Sequence, residues 1–330
     1  MSAGATTHDK GGIDWFTWLL GLAVTIGAFW VLSAVRSEAL LANWRFLLLG
    51  AAILVWLLGC WLNLRLSAVP FVNSRAGRLR DLVVAGIFGL FILFLWEVAV
   101  AVFGISFVLL PPPSAIGARF AGSIPILAAD FNQTVLKAVL AGFIGGSLSG
   151  FLVAILADRY RFLANAFLPI GNLVSALPII GIAPIMVIWF GFDWQSKAAV
   201  VIVMTFFPML VNTLAGLAAA GQSEIELLRT YASSHWQALF KLRLPAAMPF
   251  IFNALKINST LALIGAIVSE FFGTPVVGMG FRISTEVGRM NLDMVWAEIA
   301  MAALAGSLFY GLLSIVERMV TFWHPSYRGG

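Results

Sequence analysis

Charge is scarce in this 330-residue chain. Only 11% of its residues are Asp, Glu, Lys or Arg, while 61% are hydrophobic. Soluble domains carry about 25% charged and about 45–50% apolar residues. That deficit excludes an ordinary water-soluble domain and predicts an all-α polytopic membrane protein. The single cysteine, Cys60, lies inside an apolar run, which excludes a disulfide framework and a cysteine metal site. The three histidines, His8, His235 and His324, are far apart and fit no H-E-x-x-H pattern. There is no G-x-x-x-x-G-K-[ST], so the chain does not bind ATP through a P-loop. No nucleophile–base set can be read from the spacing, and no enzyme is expected. The net charge of +5 does not call for nucleic acid, because basic residues flanking spans set orientation in a membrane.

What is present is a series of long apolar runs. A bilayer-spanning helix needs about 20 mostly apolar residues. Eight runs qualify: 15–35, 44–64, 82–105, 134–157, 165–190, 197–219, 246–270 and 296–320. The first is too long for a signal-peptide core and reads as a retained span. With the N-terminus inside, twelve of the twenty Lys and Arg residues fall on the cytoplasmic side. This predicts both termini in the cytoplasm of a multi-pass inner-membrane protein. The first two runs are rich in Trp and Leu, whereas the later six carry Gly, Pro, Asn and Ser. We therefore divide the chain into an extension of two spans with a basic linker (1–81), a six-span core (82–325) and a short cytoplasmic tail (326–330).

One polar stretch interrupts the oil. Residues 226–245 read ELLRTYASSHWQALFKLRLP. Ser223 to Glu226 fits a capping box, and Ser234 to Gln237 fits a second, predicting two short helices with a break at Ala232–Ser233. Pro245 either ends the second helix or opens the next span as a first-turn residue. Tyr231, Trp236, Leu239 and Phe240 supply an apolar surface too large to leave in water without a reason. Two readings follow: an amphipathic helix on the inner membrane face, or a docking knob for a soluble partner.

The stretch resembles the cytoplasmic signature of ABC-importer permeases, E-A-A-x-x-x-G followed by I-x-L-P. Glu226 to Pro245 has that spacing, with Leu242, Leu244 and Pro245 at the I-x-L-P positions. Leu227 and Leu228 replace the two alanines, and Ala232 replaces the glycine, which suggests a milder break there or an altered fit to the partner. "WEVAVAVFG", "LLPPPSAIGARF", "LPIGNLVSALPIIGIAPIMVIWFGFDWQSK" and "FFPMLVNTLAGL" resemble the nitrate/sulfonate/taurine branch. The resemblance covers about residues 82–325. It implies a type I importer permease core, with the two N-terminal spans as an addition. It also implies a coupling module at 221–245, with Glu226, Arg229, Ala232, Ser233, Trp236, Leu244 and Pro245 meeting a separate ATPase dimer that binds ATP and Mg. No cofactor is implied in this chain itself. The further partners implied are a second permease copy, as a homodimer, and a periplasmic or lipid-anchored solute-binding protein, besides membrane lipid. The substrate implied is a small organic molecule or anion of the vitamin or pyrimidine precursor, flavin, sulfonate or nitrate class. The competing reading is a stand-alone secondary transporter, which would need intramembrane carboxylates, and Glu97 and Glu270 are few.

Inside the apolar runs, Pro178, Gly181 and Pro184 predict a bent helix, either lining a pathway or merely kinked in packing. Asn253, Lys256, Asn258, Ser259 and Thr260 concentrate polarity in one run, which ends at Glu270. Ser175, Pro178, Met186, Asn253, Lys256 and Asn258 are the candidate solute-pathway residues. Lys256 has two readings, an internal ion pair or an anionic solute. Glu97 is a structural candidate, paired with Lys256 or an interfacial Arg. Gly142, Gly146 and Gly150 form a small-residue ridge for close helix packing, within the chain or across a dimer. Arg282, Glu286, Arg289 and Asp293 mark a solvated outer-side segment after a turn at Pro275, whose alternating signs suit either contact with a binding protein or a plain solvated helix.

Overall fold

The computed structural model describes residues 15–69, 74–175, 178–273 and 276–322. The turn expected at Pro275 and the tail 326–330 lie outside them. The described elements are α1 (Trp15–Val35), α2 (Glu38–Ala68), α3 (Ser74–Val102), α4 (Pro113–Gly122), α5 (Ile124–Phe131), a π-helical segment (Asn132–Val139), α6 (Leu140–Arg159), α7 (Arg161–Ser175), α8 (Ile179–Phe190), α9 (Trp194–Ala218), α10 (Gln222–Thr230), α11 (His235–Ala238), a second π segment (Leu239–Arg243), α12 (Leu244–Glu270), α13 (Met279–Gly288) and α14 (Leu292–Val320). Among the described residues, seven helices are long and apolar enough to cross a membrane: Trp15–Val35, Ala39–Ala68, Ala76–Val102, Ile124–Arg159, Trp194–Ala218, His235–Glu270 and Leu292–Val320. The fifth expected run, 165–190, forms two shorter helices, α7 and α8. Pro178, extended at ψ 127°, is the N-cap of α8. A proline there lacks the N–H that a continuous helix would use.

The chain forms two compact units, residues 1–118 and 119–329. In the first, α1, α2 and α3 share a core of Val24, Val31, Ala52, Val55, Phe91, Phe94 and Val98. Gly59 is required there, since a Cβ would lie 2.2 Å from the Phe91 ring. Asn63, mostly buried, donates to the carbonyl of Val84 at 3.2 Å and ties α2 to α3. This unit thus takes in α3, which the sequence division at residue 81 puts with the later spans. Glu97 accepts from the Ser114 backbone N–H (2.9 Å) and hydroxyl (2.6 Å) and so binds the start of α4; among the described residues it forms no ion pair with Lys256 or an Arg.

In the second unit, α9 is the central helix, flanked by α6 and α12. Gly142, Gly146 and Gly150 face α9 within the chain. A Cβ on Gly146 would lie 2.0 Å from the Thr205 hydroxyl and 2.7 Å from the Ile202 carbonyl oxygen. Backbones that approach this closely gain dispersion contacts, which replace the hydrophobic effect between helices in lipid. Asn258 of α12, fully buried, donates to Ser147 of α6 (2.9 Å) and to the Thr205 carbonyl of α9 (2.8 Å). The three helices are therefore fixed by a polar tie as well as by packing.

Candidate functional site

The polar stretch folds into a helix–turn–helix at one end of the second unit. α10 begins two residues earlier than the capping pattern indicates. Gly221 is its N-cap and makes no side-chain cap bond, so the Ser223–Glu226 box does not form. The second box does form: Ser234 accepts from the Gln237 N–H (3.2 Å), and the Gln237 side chain accepts from the Ser234 N–H (2.9 Å). Between them α10 closes in a Schellman turn. Ser233 N–H donates to the Leu228 carbonyl (3.1 Å) and Ala232 N–H to Arg229 (2.9 Å). Ala232 sits at φ 52°, in the left-handed region. The milder break expected from the loss of glycine is therefore not what the chain adopts. The glycine geometry is kept, at a cost of about 1–2 kcal/mol for an L residue.

The second helix is continuous with the next span: α11, the π turn and α12 run as one helix, His235–Glu270. Pro245 takes the first-turn position of α12, the second of its two expected roles. Two contacts fasten this helix to the helix ends beside it. Arg243 makes a bidentate pair with Asp158 (2.7 Å each) and donates through Nε to the Leu217 carbonyl (3.0 Å). Leu239 is fully buried among Leu217, Ala247 and Ile251. Leu239 was expected on the exposed apolar surface, but it faces inward. The surface that remains is Leu227, Tyr231, Trp236 and Phe240, each more than half exposed. Trp236 and Phe240 stack with centroids 6.1 Å apart. Glu226, Arg229 and Ala232 are exposed beside them, Ser233 is half-buried, and Leu244 and Pro245 are half-buried at the start of α12.

The candidate pathway residues separate into groups. Asn253 is exposed on α12 and donates weakly to Asn212 of α9 (3.4 Å). Lys256 pairs with Glu317 of α14 at 2.8 Å. Asn258 faces the interior, as described above. On α8, Pro178 is exposed and Met186 half-buried, and Ser175 ends α7. α8 packs on α9 and α12, so these residues share a neighbourhood.

A second polar cluster escaped sequence reasoning. Glu270, almost fully buried, accepts from Thr134 (2.8 Å) and from the Gly280 N–H (2.7 Å). Asp130, fully buried, accepts from the Gly278 N–H (2.6 Å) and from Arg282 Nε (2.8 Å). That hydrogen bond holds Arg282 above the ordinary arginine range. Fully buried Glu298 lies beside Asp130 and Arg282. Lys197, also buried, gives its three protons to the carbonyls of Phe192 (2.6 Å) and Gly273 and to Ser196 (3.2 Å). At the cluster's edge Asp193 accepts from Gln133 (2.6 Å) and from the Trp194 N–H (2.8 Å), which together lower its pKa below the usual aspartate value. Glu286 is buried and binds Arg289 (3.0 Å) and Asn291 (2.7 Å). Of the segment expected to be solvated, Arg289 is exposed, whereas Arg282 and Glu286 turn inward. This cluster locks α5, the first π segment, α9, α12 and α13 together. Among the described residues, no group of three or more His, Cys, Asp or Glu is placed to hold a metal ion.

Residues 146–322 match the family described as binding-protein-dependent transport system inner membrane component. The chain is 28% identical to the riboflavin transport system permease protein RibX of Chloroflexus aurantiacus, over 71% of this chain and 88% of that protein. It is 29% identical to the formylaminopyrimidine transport permease protein ThiX of Halalkalibacterium halodurans, over 72% and 94%. It is 27% identical to the taurine transport system permease protein TauC of Escherichia coli, over 67% and 82%. Among solved structures, the methionine ABC transporter MetNI in an inward-facing conformation matches with a TM-score of 0.50 and 20% identity, over 61% of this chain and 98% of that one.

Proposed function

From the premise that the chain belongs to the family of binding-protein-dependent transport system inner membrane components, and so is a permease of an ATP-driven importer, we propose how its parts divide the work. The module 221–245 seats in a separate cytoplasmic ATPase dimer, which binds ATP and Mg. The observation that carries this is the exposed pair Trp236 and Phe240 on a helix fixed by Arg243, Asp158 and Leu239, with Leu227 and Tyr231 exposed beside them on α10 and its cap, which the turn at Ala232–Ser233 ties to it. Apolar anchors of this kind are worth little on a loose segment, because ordering costs offset contact gains. Here the ordering is already done. The orientation follows: module and both termini in the cytoplasm, with a periplasmic or lipid-anchored solute-binding protein on the opposite face. A second copy of this chain completes the pathway. Residues 82–325 act as the transport core and 1–81 as an extension.

The solute route runs along α8 and the exposed polar side of α12, past Ser175, Pro178, Met186, Asn253 and, on α9, Asn212. Asn258 is buried among α6, α9 and α12 and holds those helices together. Lys256 has a carboxylate partner in Glu317, which supports a neutral or weakly polar solute over a strongly bound anion. Among the substrate classes of the relatives, that favours a heterocyclic vitamin or vitamin precursor, of the kind named for RibX and ThiX, over a sulfonate.

The coupling assignment is tested in proteoliposomes with the cognate ATPase and binding protein. Trp236→Asp and Glu226→Arg lie outside the bilayer and leave insertion intact. Both are expected to abolish solute-stimulated ATP hydrolysis. Normal stimulation in both variants would remove the assignment.

A further inference from the structure

The first unit carries a groove of about 230 Å³ between the last turn of α2 and the first turns of α3. Its walls are Leu66, Val69, Leu79, Val83 and Val84, with Arg80 at the rim. Leu79 is 63% and Val83 48% exposed. In a membrane protein, walls of this chemistry meet acyl chains and not water.

The rim has a different chemistry. Arg80 is fixed there: Nη1 donates to the Val69 carbonyl (2.7 Å), and Nε and Nη2 donate to Asp81 (2.9 and 2.8 Å). Arg78 is exposed one turn from the groove wall. Arg65 lies over the rings of Phe16 (5.9 Å) and Trp61 (5.3 Å). An arginine among aromatic side chains is the pattern of a membrane–water boundary, with amphipathic rings at headgroup depth. Between residues 65 and 81 the chain carries four arginines against one acidic residue, Asp81. The groove therefore offers an apolar slot whose open end sits at headgroup level in an excess of positive charge.

We propose that this groove binds an anionic phospholipid of the surrounding bilayer, one acyl chain in the slot and the phosphate among the arginines at its rim. A zwitterionic lipid matches the slot but not the charge. Juxtamembrane Lys and Arg residues each favour anionic lipid by about 1 kcal/mol, roughly fivefold in affinity. The proposal rests on the membrane location of α1–α3 and is independent of the transport reading.

The test uses the full-length protein, delipidated in detergent, with retained lipid counted by native mass spectrometry. Dioleoyl phosphatidylglycerol and dioleoyl phosphatidylcholine have the same tails and differ in charge. The wild-type chain is expected to bind the glycerol lipid about fivefold or more tighter. Arg78→Gln, at an exposed position, should cut that preference about fivefold. Val83→Trp should fill the slot and reduce retention of both lipids while leaving the elution volume unchanged. Equal affinity for the two lipids in the wild-type chain would overturn the proposal. So would an unchanged preference in Arg78→Gln, or undiminished retention in Val83→Trp.

Discussion

Ala232 holds a conformation that suits glycine, and its replacement has a calculable effect. The residue is exposed, so its methyl group makes no core contact that would be lost. At φ 52° the Cβ crowds the following carbonyl, costing about 1–2 kcal/mol. Glycine removes that cost but loses about 0.4–1 kcal/mol through the greater freedom of the unfolded chain. The balance for Ala232→Gly is stabilisation of the turn by about 0.5–1 kcal/mol, or roughly two- to fivefold in its opening constant. The amides to watch are Ser233 N–H and Ala232 N–H, which close the turn onto Leu228 and Arg229. Amide hydrogen exchange on the protein in nanodiscs reads them directly, since local opening sets their protection. Slower exchange by two- to fivefold is expected in the glycine variant. Ala232→Val should act oppositely, by about 1 kcal/mol or more, because a β-branched residue tolerates the left-handed region least. If glycine speeds exchange, or valine leaves it unchanged, the turn does not hold the left-handed geometry and the reasoning fails.

Other substitutions probe separate parts of the molecule. Gly146→Ala drives a methyl group into Thr205 and Ile202 of α9 and should cost about 1–3 kcal/mol; thermal melting should show a clear drop that Gly86→Ala, with open space around it, does not. Arg243→Met removes a bidentate pair whose partners are 20% and 11% exposed, at a cost of about 2 kcal/mol after allowance for solvent screening, and should loosen α11 in the same exchange experiment. Asp193 has a lowered pKa, so its contribution is present above the ordinary aspartate pKa and is lost as pH falls through the lowered value; Asp193→Asn should flatten the acid limb of the melting profile below about pH 4, and an unchanged limb would refute the assignment. In a Cys60→Ala background, Asn253→Cys should react with a small polar thiol reagent and Asn258→Cys should not; the reverse order would place the open face of α12 on its other side.

The spans were legible in the sequence because lipid demands unbroken apolar length, and seven of eight runs became helices of that length. The break in the remaining run was legible from Pro178. The second capping box was legible because Ser234 and Gln237 serve only each other. The first was not, because Gly221 starts α10 two residues earlier and places Ser223 within its first turn. Leu239 misled for another reason. It is apolar and next to Phe240, but neighbours in a helix lie about 100° apart, and Leu239 is fully buried while Phe240 is exposed. The buried cluster was out of reach for a different one. Thr134 meets Glu270, and Asp130 meets Arg282, across 136 and 152 residues of sequence. Each charge alone looked like the edge of a span, and nothing local announces a distant partner.

The π-helical segment Asn132–Val139 joins two stretches of one long helix that answer to different neighbours. Before and within it, Asp130 and Thr134 must point at α13 and the end of α12. After it, Gly142, Gly146 and Gly150 must point at α9. In a regular α-helix each residue advances the face by about 100°, so a single-residue change in the count between the two sets would swing one of them well off its target. A wider turn is a way of resetting the phase without ending the helix. The segment therefore behaves as a spacer whose length is under geometric constraint. Substitutions within it that keep the residue count are matters of side-chain chemistry. A one-residue deletion there would regularise the hydrogen bonding and yet misalign either the carboxylate lock or the glycine seam.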